Sequence, residues 1–230
     1  MSAVTRLDEQ IAGRRQSVER RIAAACERAG RAPNTVTLIA VTKSHPAATI
    51  QAAMRAGLSH FGENRVQEGV AKINALTGQA ARATWHLIGH LQTNKVRPAI
   101  EHFDILHGVD SERVARAISD RAERAVRVLI EVNVSGESSK YGLNVADVAA
   151  TCERVGALPH VDVIGLMTVA PAVDDPEAVR RVFRRLRELR DAIGLRELSM
   201  GMTDDYEVAI EEGATMVRIG RALFGPREVP

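Results

Sequence analysis

Residues 36–44 read Val36-Thr-Leu-Ile-Ala-Val41-Thr-Lys-Ser44. The first six are mostly apolar and rich in β-branched side chains. They are too few for an ordinary helix, and Pro33 and Pro46 bracket them, so the run predicts a strand over 36–41. It shows no polar alternation. A strand that is apolar on both faces is buried on both faces, which is the mark of a parallel sheet covered by helices. On its N-terminal side, residues 3–29 place Val4, Leu7, Ile11, Val18, Ile22, Ala25 and Ala29 at helical spacing, and Gly30 and Pro33 end that helix. On its C-terminal side, a helix from Pro46 to Gly57 carries Ile50, Ala53 and Met54 on one face.

The same unit recurs along the chain. Strand-like runs are expected at 60–64, 84–89, 105–109, 126–134, 161–169, 197–200 and 215–219, with helical patterns between them. The clearest helix is 175–194, with Asp175 as N-cap, Pro176 at the first position, Gly194 as the stop, and Val179, Val182, Phe183, Leu186, Leu189 and Ile193 on its inner face. Residues 144–156 repeat the pattern with Val145, Val148, Ala149, Cys152 and Val155. Eight β/α units without a break predict an α/β fold: a single (β/α)8 TIM-type barrel with an additional N-terminal helix over 1–30, and one domain spanning 1–230. A doubly wound open sheet is the alternative.

Composition narrows the function. The 230 residues carry 31 Lys plus Arg against 29 Asp plus Glu, and a net charge of +2 is too small for a dedicated nucleic-acid binder. The two cysteines, Cys26 and Cys152, form no CxxC, and they point to a reducing, cytoplasmic setting. Residues 1–30 lack the continuous apolar core of a signal peptide, and no apolar run approaches the ~18 residues of a membrane span. His86 and His90 stand four apart on a strand, which is not helical HExxH geometry, so no metal site is expected. GxSxG, GxGxxG and Walker A motifs are absent.

Barrel enzymes keep their sites at the C-terminal ends of the strands. Strand 1 ends in Lys43, which reads either as a rim lysine or as a desolvated amine suited to a Schiff base. Strand 2 ends in Asn64, a ligand contact or a helix cap. His86 on strand 3 reads as a satisfied core histidine or as a ligand contact. Strand 7 ends in Ser199-Met-Gly-Met-Thr203-Asp-Asp205, where a glycine, hydroxyls and a helix start suit an anion. The other reading of that stretch is capping, with Asp204 as N-cap and Glu207 at N3. Strand 8 ends in Arg218-Ile-Gly220-Arg221, where Gly220 permits close backbone approach. A lysine nucleophile, a phosphate-suited mouth and an arginine are together what pyridoxal 5'-phosphate (PLP) requires.

Six blocks carry a resemblance. Val41-Thr-Lys-Ser44, Phe61-Gly-Glu-Asn-Arg-Val-Gln-Glu68, Trp85-His-Leu-Ile-Gly-His-Leu-Gln-Thr-Asn-Lys95, Gly165-Leu-Met167, Leu198-Ser-Met-Gly-Met-Thr-Asp-Asp205 and Met216-Val-Arg-Ile-Gly220 with Phe224-Gly225 strongly resemble the pyridoxal phosphate homeostasis protein family. Its members have the PLP-binding barrel of the alanine racemase type without the second domain. The resemblance runs from about residue 5 to 227. It implies that Lys43 forms the internal aldimine and that Arg218 faces the pyridine nitrogen. It further implies that Ser199, Thr203, Gly220 and the backbone of Arg221 surround the phosphate, with Asn64, His86 and Met167 near the ring. A cation at the ring nitrogen disfavours its protonation and weakens the ring as an electron sink. Two departures stand out: Arg221 replaces a small residue, often Thr, and Tyr141 is bulkier than expected in the loop Ser139-Lys140-Tyr141-Gly142.

The expected function is PLP homeostasis, buffering or delivering the cofactor without efficient turnover, with PLP-dependent apo-enzymes as possible recipients. No nucleic-acid or membrane partner is expected, and the expected state is a monomer or weak dimer. The alternatives are an amino-acid racemase and a phosphosugar-type barrel enzyme. Racemisation needs a second acid/base. The resemblance places that group, a tyrosine, on a separate domain, and the barrel is expected to consume this chain. With aromatics at only 3%, Tyr141 and Tyr206 are the available tyrosines, and Tyr206 is expected on helix 8, pointing away. By the same resemblance Met167 stands where the racemases stack a histidine on the ring.

Overall fold

The computed structural model describes residues 3–137 and 141–226, with side chains from Arg6 onward. The Val4 side chain, Ser139, Lys140 and the positions beyond 226 therefore lie outside the described residues. Eight parallel strands close into a barrel in sequence order. They are β1 (Thr37–Val41), β2 (His60–Glu63), β3 (Thr84–His90), β4 (Ile105–Val109), β5 (Val126–Glu131), β6 (Val161–Met167), β7 (Glu197–Ser199) and β8 (Met216–Ile219). Closure is made by β1 against β8, where Ile39 pairs with Arg218 and Ala40 with Ile219. Ala40 also pairs with Phe61 of β2. The open-sheet alternative is thereby overturned.

The helices are α1 (Ala3–Arg28), α2 (Ala47–Arg55), α3 (Val66–Ala75), α4 (Val96–His102), α5 (Glu112–Ser119), α6 (Val148–Gly156), α7 (Arg180–Ile193), α8 (Tyr206–Glu211) and α9 (Arg221–Phe224). α9 has only four residues, too short to cover the barrel seam. The long α1 packs on α2, α8 and α9 instead. It buries Ile11, Val18, Ile22 and Ala25 there, and Arg55 grips Asp8 through two bonds of 2.8 Å. Just past its end, Arg31 donates to the carbonyls of Ile210 (2.8 Å) and Ala214 (2.9 Å), pinning the chain to the edge of α8.

Several boundaries differ from the sequence reading. β5 ends at Glu131 rather than 134, because Val132 leaves the sheet to bridge Leu143. β6 ends at Met167 rather than 169, where Val169 is exposed. Asp175 does cap its helix, accepting from the Glu177 amide at 3.0 Å, but the first turn, Pro176–Val179, is 3-10 and α7 proper follows it. Ala149, placed on the inner face of α6, is exposed. Among the described residues no helix is long and apolar enough to cross a membrane.

The core has two shells. The larger lies between strands and helices. The smaller fills the barrel with Ile39, Ile105, Leu129, Ile164, Met167 and Met216. Apolar side chains do not fill the whole interior: His86, His107, Ser199, Arg218 and Glu131 are also buried there, and how they are satisfied defines the site.

Candidate functional site

A cleft of about 300 Å³ opens at the C-terminal ends of β1, β2, β7 and β8. That is the lower end of the range for small-molecule sites. Lys43, Asn64, Thr203, Arg218, Gly220 and Arg221 all line it. The other three residues singled out from sequence do not. His86 and Ser199 are fully buried and Met167 is 1% exposed, so they form the floor beneath the cleft. Ser199 and His86 are thus placed one hydrogen bond or more behind the cleft wall. Met167 belongs to the apolar barrel filling.

Lys43 is positioned by the residues on either side of it. Thr42 Oγ1 donates to Glu63 Oε1 at 2.6 Å, and the amide of Ser44 donates to Glu68 Oε1 at 2.6 Å. Lys72 closes the cluster, donating to Thr42 O (2.8 Å), to both oxygens of Glu63 (2.9 and 3.0 Å) and to Glu68 (2.7 Å). Glu63 has no exposed surface, and burial pushes its carboxyl up while Thr42 and Lys72 pull it down. The turn itself puts Ser44 at φ +66°, a left-handed conformation uncommon for a non-glycine residue, and the Glu68 bond holds it there. Opposite, Asn64 follows β2 with its backbone tight against β3. A Cβ at Gly89 would lie 2.2 Å from the Asn64 carbonyl oxygen.

Arg218 is 4% exposed. Its guanidinium donates to Ser199 Oγ at 2.6 Å and to the Thr168 carbonyl at 2.8 Å, which fixes its plane. Burial lowers its pKa to about 10, with Asp205 and Glu131 opposing, so it remains a cation at pH 7. Glu131, 8% exposed, goes the other way: burial and the nearby Asp110 raise it to about 7.

The β7–α8 loop differs from its sequence reading. Asp204 is not the cap of α8; Asp205 occupies that position, and its Oδ1 accepts from the Met202 amide at 2.6 Å. Asp204 reaches across instead and pairs with Arg221, and both side chains of that pair are largely solvent-exposed at the rim of the cleft. Gly201 makes the loop possible. Its φ is +91°, and a Cβ there would lie 2.6 Å from Ala209 Cβ and 2.9 Å from Tyr206 Cα. Gly201→Ala is expected to lower unfolding free energy by about 2 kcal/mol, read from a denaturant midpoint shift at unchanged slope. Gly220 and Arg221 bring the start of α9 to the cleft, and the first amides of a helix precede its internal bonds.

The tyrosines fall as follows. Tyr206 is 1% exposed, beneath Arg21 of α1 at 5.1 Å, away from the mouth. Tyr141 is 60% exposed and stacks on His90 at 4.2 Å rather than lining the cleft. Reading the sequence missed Lys72, His107, His60 and Glu131. Among the described residues no group of three or more His, Cys, Asp or Glu is arranged for a metal ion.

The donor set is therefore a primary amine, a buried guanidinium, a threonine hydroxyl and a helix start around one small cleft. A closed (β/α)8 barrel with a lysine after β1 and a buried arginine on β8 thus places an amine and a fixed cation in one cleft at the strand ends, which suits an anionic ligand. The family described as alanine racemase, N-terminal domain, matches residues 13–228. The pyridoxal phosphate homeostasis protein of Aquifex aeolicus is 46% identical over 217 residues, covering 90% of this chain and 94% of that one. That of Pseudomonas aeruginosa is 45% identical over 216 residues, covering 92% and 93%. PipY of Synechococcus elongatus PCC7942, solved with PLP bound, superposes with a TM-score of 0.82 at 38% identity, covering 94% of this chain and all of that one. The chain belongs to the alanine racemase N-terminal-domain family and, within it, to the pyridoxal phosphate homeostasis proteins.

Proposed function

We propose that this chain binds PLP in the cleft and holds it without efficient turnover, buffering or delivering the cofactor inside the cell. The observation that carries the reading is that Lys43 and Arg218 share one cleft with Thr203, Gly220 and the start of α9. When bound, PLP supplies an aldehyde for a primary amine and a ring whose nitrogen sets its electron demand. Lys43 is the amine. Arg218, locked by Ser199 and Thr168, would serve as the cation at the ring nitrogen, where its charge would disfavour protonation. Thr203, Gly220 and the first amides of α9 would hold the phosphate, with the exposed Asp204–Arg221 pair at the rim beside them. Asn64 flanks the ring, with His86 and Ser199 supporting from below.

The racemase reading loses support from the tyrosines: Tyr206 is buried under α1, and Tyr141 is engaged with His90 outside the cleft. The reading extends to one domain over 1–230, a cytoplasmic monomer or weak dimer, and PLP-dependent apo-enzymes as recipients.

The test is chemical. The chain incubated with PLP is expected to turn yellow, and borohydride is expected to fix the cofactor's mass on the peptide containing Lys43. Lys43→Ala should lose that adduct completely while keeping weaker, phosphate-anchored binding. A colourless protein with no adduct rejects the cofactor assignment. Fast exchange of an amino acid's Cα proton in deuterated water rejects the absence of turnover.

A further inference from the structure

Three histidines from adjacent strands form one hydrogen-bonded file through the barrel. His60 Nδ1 lies 3.1 Å from His86 Nε2, His86 Nδ1 lies 2.9 Å from His107 Nε2, and His107 Nδ1 lies 2.9 Å from Ser199 Oγ. Ser199 Oγ in turn accepts from Arg218 at 2.6 Å. His86 and His107 are fully buried, whereas His60 opens β2 at the base of the barrel and is half-buried. The file thus runs from the base to the arginine of the cleft.

A neutral imidazole has one N–H and one lone pair, and both nitrogens of His86 and of His107 are used within the file. Their tautomers are therefore locked together. Arg218 can only donate, so Ser199 accepts from it, and with His60 neutral the His107 Nδ1 lone pair is the acceptor that satisfies the buried Ser199 hydroxyl hydrogen. His107 then carries its hydrogen on Nε2 and donates to His86 Nδ1, and His86 donates from Nε2 to His60 Nδ1. A hydroxyl that donates is a better acceptor, so this polarity strengthens the Arg218 bond. A proton added to His60 must sit on Nδ1, where it faces the His86 Nε2–H and reverses the file. His86 and His107 each release the hydrogen on Nε2 to solvent and take one from solvent on Nδ1, so both stay neutral, while Ser199 keeps its own hydrogen, turns it away from His107, and accepts from both His107 and Arg218.

We propose that His60, His86 and His107 are positioning residues for Arg218, and that they transmit the protonation state of His60 at the barrel base to the Ser199–Arg218 bond under the cleft. The charged groups facing the file are Arg127 and Asp104 beside His60, and Glu131 and Asp205 beside Arg218. Burial and Arg127 lower His60, which places the reversal below the ordinary imidazole range, and burial keeps His86 and His107 neutral throughout. The relay does not rest on the cofactor reading, because it is present in the protein alone.

The test uses the ligand-free full chain with 15N-labelled histidine and arginine. Long-range 1H–15N spectra are expected to show His86 and His107 both as Nε2–H at pH 7.5. On acidification both should become Nδ1–H at the midpoint of His60's own titration, and the Arg218 side-chain signals should shift with them. His60→Gln keeps an acceptor for His86 but takes no proton; in it both rings should remain Nε2–H over the same range. Rings of opposite tautomer, rings that ignore the His60 titration, or an unchanged switch in His60→Gln each overturn the relay.

Discussion

Lys72→Met is expected to lower the unfolding free energy by about 3–5 kcal/mol at pH 7, the usual cost of removing one partner from a buried ion pair. Lys72 is 11% exposed and Glu63 not at all, so water offers Glu63 little compensation. Without the ammonium, only Thr42 remains on that carboxylate. The sign with pH follows. Glu63 in the variant has its native pKa raised further above the unfolded value, so the deficit is greatest at high pH and shrinks as pH falls through that native value. Lys72→Met/Glu63→Gln removes the stranded charge and should recover most of the loss. The variant should also hold PLP more weakly, since Lys72 anchors the carbonyl of Thr42 next to Lys43. Urea unfolding of the three proteins between pH 6 and 8 checks this. A single variant within about 1 kcal/mol of the parent across that range contradicts the assignment.

Acid should destabilise the protein well before its surface carboxylates titrate. Burial lowers His86 to about 3 and His107 well below 6.5. Both native values are depressed, so the stability they carry is full above the unfolded value near 6.5 and is lost as pH falls below it. Between pH 6.5 and 5 the pair should cost on the order of 3 kcal/mol. Glu131 opposes them. Its value, raised to about 7, makes the native state bind a proton the unfolded chain releases, which stabilises as pH falls. Glu63 and Asp205, also raised by burial, act in the same sense. The wild type should therefore lose only about 1–2 kcal/mol over that interval, whereas Glu131→Gln should lose nearer 3 and be the more stable protein at pH 8. Thermal unfolding against pH for both proteins decides it; parallel curves would remove Glu131 from the balance.

The legible part of the site was the part carried by single strand ends. Lys43, Asn64, Thr203, Arg218, Gly220 and Arg221 each follow or end an apolar run, and barrel geometry sends such residues to the mouth. Lys72 was not legible, because it sits on a helix face whose surface reading is solvated charge and becomes buried only where α3 meets the end of β1. His107 and Glu131 were unremarked polar positions in apolar runs. Asp204 and Asp205 are equal candidates for a cap by residue type, and the direction of the Gly201 turn chose between them.

The amino-acid sequence alone determined the alternation of apolar strands and amphipathic helices, hence the barrel class, and the identity of the groups at the strand ends. Those properties depend on neighbours within a few residues, through side-chain period and turn chemistry. Only the tertiary structure decided which polar groups complete one another. Closing β1 onto β8 and stacking β2, β3, β4 and β7 brings His60, His86, His107, Ser199 and Arg218 into one file from segments up to 158 residues apart. In a low-dielectric interior each of those groups needs its partner, and the partner is set by barrel register rather than by local sequence.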